Sequence, residues 1–348
     1  MNIGLDLGTY AFRSLRSVGP RLAVRRCRAV YSVLPDTPAQ RKLLDQAAIS
    51  YAICDSNLIL MGDAATELAR LFQVAARDLL PNGEIPHADP IARQVIAQLV
   101  DALLPVPEHV GSICCVARPV AADSGHAGLR ASMDFFDRLI RLRGYVPLGL
   151  HAGTALVLAD LVSERFTGVG VTVGAARCEI SVAYCGQERA VGTVPRGANW
   201  GDEQLAREWG CAGQDARGHT FLDREQAAQK KSALTHSVLA PATREERLVT
   251  ELYRALTADI AAEVRRVCAD DALVAGLKQP LAVVCGGGGA RLPGFCDLLQ
   301  GQFHGTAGGL PQFRVRPASS ADDAVARGCL IHAELRSEAS TSPSRRAA

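Results

Sequence analysis

Apolar and polar positions alternate in short runs along the first part of the chain, and from about residue 90 the pattern switches repeatedly between alternation and helical spacing. Strand-like runs fall at about 2–7, 10–17 and 21–33. An irregular polar stretch follows, then a short hairpin turning at Asp55-Ser56-Asn57 and a helix over about 63–75. Ile91, Val95, Ile96, Leu99 and Leu103 recur at three- and four-residue spacing, which predicts a helix over 90–104. Residues 111–116 predict a strand, and Leu129, Met133, Phe136, Leu139 and Ile140 mark one face of a helix over 125–143. A strand at 145–150 leads into an apolar helix at 152–163.

The same order then returns. Strands at about 168–174, 178–184 and 188–195 are joined by tight turns, with helices at 201–209, 223–235 and 244–268. A strand at 281–285, a glycine loop, a helix at 292–301, a strand at 312–316 and a helix at 320–336 complete it. Three hairpin-linked strands followed by alternating helices and strands therefore occur twice, so the chain reads as an α/β protein built from a duplicated βββαβα unit. Each half is expected to hold a mixed sheet, antiparallel through its hairpins and parallel through its helical crossovers. The expected lobes are 1–150, with a small insertion at about 34–80, and 151–336, with a reduced insertion at about 205–243. Residues 337–348, rich in Ser, Arg and Ala, are expected to be a disordered tail.

Composition narrows the classes. A hydrophobic fraction of 48% with 21% charged residues over 348 positions suits a large packed core. A net charge of +2 gives no reason to expect a nucleic-acid partner, and Arg21, Arg25, Arg26 and Arg28 alternate with apolar residues as on a half-exposed strand. The cysteine count of 11 is odd, no pair has C-x-x-C spacing, and no signal-peptide pattern precedes the first strand, which predicts the reducing cytoplasm. Cys114 and Cys115 should point to opposite faces of their strand as core side chains. No apolar stretch reaches transmembrane length.

Two turns carry the candidate chemistry. Gly286-Gly287-Gly288-Gly289-Ala290-Arg291 follows the apolar run 281–285, at a strand end where backbone amides can approach a purine, ribose or phosphate without a Cβ in the way. Asp6-Leu7-Gly8-Thr9 also follows an apolar strand, Ile3-Gly4-Leu5. Asp6 there can hold the water shell of a magnesium ion, and Gly8 and Thr9 can offer donors to the terminal phosphates of a nucleotide, with Tyr10 next in the turn. The run Gly168–Gly174 partly imitates a dinucleotide-binding glycine motif, but it occupies a predicted strand leading into another strand, which argues against a dehydrogenase. No Walker lysine motif, H-E-x-x-H pair or G-x-S-x-G elbow is present.

On these residues, in this order, the chain resembles the actin-like ATPase superfamily: actin, the DnaK-type chaperones, the sugar kinases and, in length and layout, MreB. The resemblance covers about residues 2–335 and implies a ribonuclease H-like two-lobed fold with a central nucleotide cleft. Asp6-Leu7-Gly8-Thr9 looks like the family's first phosphate loop, and Gly287-Gly288-Gly289-Ala290-Arg291-Leu292-Pro293 resembles its adenosine loop, with Arg291 beside the adenine. Ala324-Val325-Ala326-Arg327-Gly328 looks like its last helix, with Gly328 allowing close packing. Lys231 falls where relatives place a nucleotide-contacting lysine. The implied ligands are ATP or ADP with Mg2+, held by Asp6, Gly8, Thr9, Tyr10, Gly174, Lys231, Gly287, Gly288, Gly289 and Arg291, with Asp6 reaching the metal through water.

The departures point to weak catalysis. The second hairpin reads Thr172-Val173-Gly174-Ala175-Ala176-Arg177-Cys178-Glu179, so a threonine holds the carboxylate position and two glycines have become alanine. Arg177 is expected to face solvent. The family's water-positioning acidic residue is replaced by Leu150 or His151, and a neutral imidazole at His151 is a feasible general base near pH 7. Hydrolysis is expected to be slow or absent. The sheet-containing subdomain that relatives insert before the long helix at 244 is expected to be missing or reduced, which bears on polymerisation. The function expected is a divergent MreB- or DnaK-like ATP-binding protein of the cytoskeleton or of a scaffold, with self-association into filaments or a protein partner. The alternative is a pseudo-ATPase adaptor resembling PilM or FtsA. A sugar kinase would need a catalytic aspartate, and Asp160 and Asp123 are badly placed.

Overall fold

In the computed structural model, which describes residues 1–69, 71–120, 127–214, 218–234, 237–277, 279–303 and 310–341, β1 (Ile3–Leu7) runs antiparallel to β2 (Ala11–Val18), and β2 to β3 (Arg21–Arg28). The chain then leaves this sheet. The run expected as one strand over 21–33 breaks at Ala29, whose N–H donates to the Tyr10 carbonyl at 3.0 Å and whose carbonyl accepts from Leu79 at 2.9 Å. Beyond the break, β4 (Val30–Pro35) joins a separate sheet instead of extending the first. The polar stretch after it holds a helix that hydrophobic spacing does not reveal: α1 (Pro38–Gln46) buries only Leu44, and it is set by the Thr37 cap, whose hydroxyl accepts from the Gln40 N–H at 3.2 Å, and by Pro38 at its first position.

Next come β5 (Tyr51–Cys54), β6 (Asn57–Met61), α2 (Asp63–Glu67) and β7 (Arg77–Asp78), and the small sheet has the order β5-β6-β4-β7. The helix expected to reach residue 75 ends at Glu67, and the backbone turns at Gln73, which takes a φ of 52°. α3 (Pro90–Leu103), β8 (Ile113–Arg118), α4 (Ala127–Leu142) and β9 (Val146–His151) follow, with β8 parallel to both β1 and β9. The expected start of α4, and Asp123, lie outside the described residues.

α5 (Ala152–Asp160) carries the chain to β10 (Gly168–Val173), β11 (Cys178–Tyr184) and β12 (Gln187–Val194). α6 (Ala198–Glu208) leads to β13 (Ala212–Gln214) and β14 (Thr220–Leu222), a two-stranded ribbon that is what the second lobe has of a small sheet. α7 (Arg224–Ala233) precedes α8 (Arg244–Ala269), which starts in a capping box where Thr243 and Glu246 satisfy each other's backbone N–H. The remaining elements are α9 (Ala272–Ala275), β15 (Leu281–Gly286), α10 (Phe295–Gln302), β16 (Phe313–Pro317) and α11 (Ala324–Thr341). α11 runs through 337–341, which were expected to belong to a tail, and 342–348 lie outside the described residues.

The duplication is explicit in the two large sheets. Their orders are β3-β2-β1-β8-β9 and β12-β11-β10-β15-β16, each with two antiparallel pairings followed by two parallel ones. Each sheet has its own apolar core, and a third core built on α5 and α11 lies between them. Cys114 belongs to the first core and Cys115 to the third, on opposite faces of β8, and all 11 cysteines are free thiols. α5 and α11 approach so closely that a Cβ at Gly328 would overlap the Ala155 carbonyl, which is why a glycine stands there. Among the described residues no helix is long and apolar enough to cross a membrane.

Candidate functional site

Both turns singled out in the sequence open on one cleft of about 1050 Å³ between the two large sheets. Asp6, at the end of β1, and Gly8, Thr9 and Tyr10 in the turn to β2 form part of one wall. Gly174, Lys231, Gly287, Gly288, Gly289 and Arg291 line it from the second half of the chain. His151 is not brought there: its Nδ1 lies 2.8 Å from Glu188 Oε1 on β12, and the Thr154 hydroxyl donates to the other Glu188 oxygen.

The glycines of the late loop do different jobs. Gly287 takes a φ of 89°, and a Cβ there would meet the Val173 carbonyl oxygen at 2.7 Å. A Cβ at Gly289 would press on the Val173 side chain. At Gly288 an added Cβ meets no protein atom within 4 Å, so this backbone is the one left open to the cleft. The loop is pinned by the Gly287 N–H donating to the Ala321 carbonyl at 3.0 Å, at the turn before α11. These glycines form a short 3-10 turn, and Gly294, with a φ of 85°, delays the helix expected from 292 until Phe295.

An ion chain joins the two turns. Arg13, the cross-strand partner of Asp6, reaches it at 3.7 Å and also approaches Asp322 at 3.6 Å and Asp323 at 4.0 Å. Asp322 pairs in turn with Arg291 at 3.2 Å. Burial raises the Asp6 pKa; Arg13 opposes that rise and Asp323 adds to it. Arg13 was not singled out in the sequence; the β1–β2 register, which sets it opposite Asp6, brings it to the site.

The second hairpin is tied down by backbone. Ala198 and Asn199 at the start of α6 donate to the carbonyls of Gly174 and Ala175, both at 2.9 Å. Arg177, expected to face solvent, crosses the cleft and donates to the Asn82 carbonyl at 2.6 Å. Glu179 on β11, also missed in the sequence, is buried and lines the cleft. Burial pushes its pKa up to about 7, with Arg177 the largest opposing influence.

Two further ion pairs span the cleft mouth. Arg28 on β3 pairs with Glu225 on α7 at 2.9 Å and stacks its guanidinium 3.9 Å from the centre of the Tyr10 ring. Arg224, the residue before Glu225, pairs with Asp78 on β7. Lys231 is largely withdrawn from solvent, with Nζ 2.6 Å from Asp202 Oδ1 and 3.5 Å from the Tyr253 hydroxyl. Burial would lower the Lys231 pKa, but Tyr253 and Asp202 outweigh it and hold the ammonium above its usual value.

Size, open glycine backbone and flanking charge suit this cleft to a polar ligand of nucleotide size. The carboxylates of Asp6 and Glu179 are hard oxygen donors of the kind that hold a hydrated Mg2+.

The comparisons with known proteins agree on the architecture. The sequence pattern of the family described as Volactin matches residues 1–333. Among curated proteins, none matches the chain by sequence. The structure is similar to MamK in its double helical filament, at 18% identity over 95% of this chain and 98% of that one, with a TM-score of 0.66. It is similar to MreB 5 of Spiroplasma citri bound to AMPPNP, at 12% identity over 97% of each chain, with a TM-score of 0.67. The ADP-bound form of that protein gives 12% identity over 97% of this chain and 98% of that one, with a TM-score of 0.61. The fold is that of the actin-like ATPases, at low identity.

Proposed function

The chain belongs to the Volactin family, and on that premise we propose that it binds ATP or ADP with Mg2+ between its lobes, hydrolyses it slowly or not at all, and serves as a cytoskeletal or scaffold component. One observation carries this: the aspartate turn after β1 and the tetraglycine turn after β15, some 280 residues apart in sequence, line the same cleft. Asp6 would hold the water shell of the metal, Gly8 and Thr9 the phosphates, Gly288 and Arg291 the nucleoside end. A bound nucleotide would supply phosphate charge bridging the two lobes, and the cross-cleft pairs of Arg28 and Arg224 would report its effect on closure.

Slow turnover is supported by three features. Thr172 offers no carboxylate, the methyl groups of Ala175 and Ala176 line the cleft at the second hairpin, and His151 is engaged by Glu188 outside the cleft. Losing a water-positioning group costs about 10²–10⁴ in rate. Self-association is supported by the likeness to MamK, whose structure is a double helical filament.

Titration of the purified chain with ATP in the presence of Mg2+, phosphate-release assays and electron microscopy with and without ATP test the proposal together. Binding with slow release and filaments is the expected result; no binding of ATP or ADP would overturn it. The three features that slow turnover also favour a second function, an adaptor of the PilM or FtsA kind, for which tight binding without phosphate release and without filaments is the signature.

A further inference from the structure

The hairpins that open the two lobes are built alike, but they place their charges differently. In the first, register sets Asp6, next to last in β1, opposite Arg13 on β2. In the second, Thr172, next to last in β10, stands opposite Glu179 on β11. The first lobe thus carries its carboxylate before the turn, and the second lobe carries one on the strand after it. Cross-strand partners point to the same face of a sheet, so moving a carboxylate across the ladder keeps it on the same side. Thr172 and Glu179 both line the cleft, as Asp6 does from the opposite lobe.

Glu179 is only 7% exposed. A carboxylate so placed needs partners for both oxygens. Oε1 accepts from the Val120 N–H at 3.2 Å, and among the described residues no donor reaches Oε2 and no cation comes within ion-pair distance. Arg177, two residues away, is engaged by Asn82 instead. Two carboxylates facing one space from opposite lobes, one of them with an unpartnered oxygen, are what a hydrated divalent cation satisfies.

We propose that Glu179 replaces the carboxylate absent at residue 172, so that Asp6 and Glu179 together hold the hydrated divalent cation accompanying a bound nucleotide. The assignment rests on the nucleotide cleft proposed above. It is tested by isothermal titration of the whole chain with ATP, in Mg2+ and in EDTA, for the parent, Glu179→Gln, and a double variant Thr172→Asp with Glu179→Thr that moves the carboxylate back across the ladder.

In the parent, removal of Mg2+ should weaken ATP binding by on the order of tenfold, the scale of one charge-assisted contact. Glu179→Gln should bind ATP nearly equally in both media, and the double variant should regain the Mg2+ dependence. Thermal melts followed by circular dichroism control for folding, and Glu179→Gln should melt no lower than the parent, because it removes a buried charge. A parent that depends on Mg2+ with an equally dependent Glu179→Gln variant overturns the assignment alone, as does a double variant no different from Glu179→Gln. A parent that binds no ATP in either medium overturns the nucleotide cleft and this assignment with it.

Discussion

Arg13 Nη1 stands 3.7 Å from Asp6 Oδ2, and the two residues are partners across the β1–β2 ladder. The guanidinium thus occupies the side of Asp6 that faces the turn before α11, where Asp322 and Asp323 share it. Asp6→Ala should leave the fold intact, because Arg13 keeps two carboxylates. Nucleotide affinity in Mg2+ should fall by on the order of tenfold, and affinity in EDTA should change less. A titration in both media gives the answer, and an unchanged affinity in Mg2+ would remove Asp6 from the site.

The late glycines separate binding from folding. Gly288→Val places its Cβ where no protein atom lies within 4 Å, so the variant should melt like the parent and lose stabilisation by ATP. Gly289→Val drives its side chain against Val173 and should cost about 1–3 kcal/mol of stability. Thermal melts with and without ATP compare the two. Equal stabilisation of Gly288→Val and the parent by ATP would mean that the nucleotide does not meet this backbone.

Much of this was legible in the chain. The hairpin-linked strands, the parallel crossovers and the two turns follow from local alternation and from glycine at strand ends, both written in consecutive residues. α1 was hidden because a helix that buries one leucine shows no apolar stripe; its cap at Thr37 was the available signal. The break at Ala29 was hidden because no glycine, proline or asparagine separates the two strands beside it, and only the distant bonds to Tyr10 and Leu79 set them apart. Arg13, Glu179 and Glu225 went unnoticed for a related reason. Each acts through a partner on another strand or the other lobe, and such pairings exist only once register and cleft have formed.

Lys231 and Asp202 form an ion pair in which neither side chain is more than 12% exposed. Removing one member leaves the other charged and buried, a loss of about 3–5 kcal/mol in comparable pairs, whereas removing both is far milder. Lys231→Ala should therefore be strongly destabilised in urea denaturation, and Asp202→Ala with Lys231→Ala should recover part of the loss. A single variant within about 0.5 kcal/mol of the parent would show the pair to be solvated, as surface substitutions are.

His151 sits where β9 passes into α5, the point at which the chain leaves the first sheet for the second. It faces Glu188 directly, with Thr154 on the same carboxylate, and it feels Glu179 and Arg118 more weakly. The bond to Glu188 raises the imidazole pKa above its usual 6.5, against the opposing effect of burial. Burial alone would raise Glu188, but the bonds from His151 and Thr154 bring it below its ordinary 4.5. A raised histidine stabilises the fold fully below pH 6.5 and loses that contribution as pH rises through the folded value; a lowered glutamate contributes above pH 4.5 and loses it as pH falls through its own folded value. The pair should thus stabilise the junction most between about pH 4.5 and 6.5. Chemical denaturation of the parent and of His151→Gln across pH 4 to 9 should show the largest stability difference inside that window and a shrinking one above it. Curves that run parallel from about pH 5 to 8 would mean that Glu188 does not hold the imidazole in its charged form.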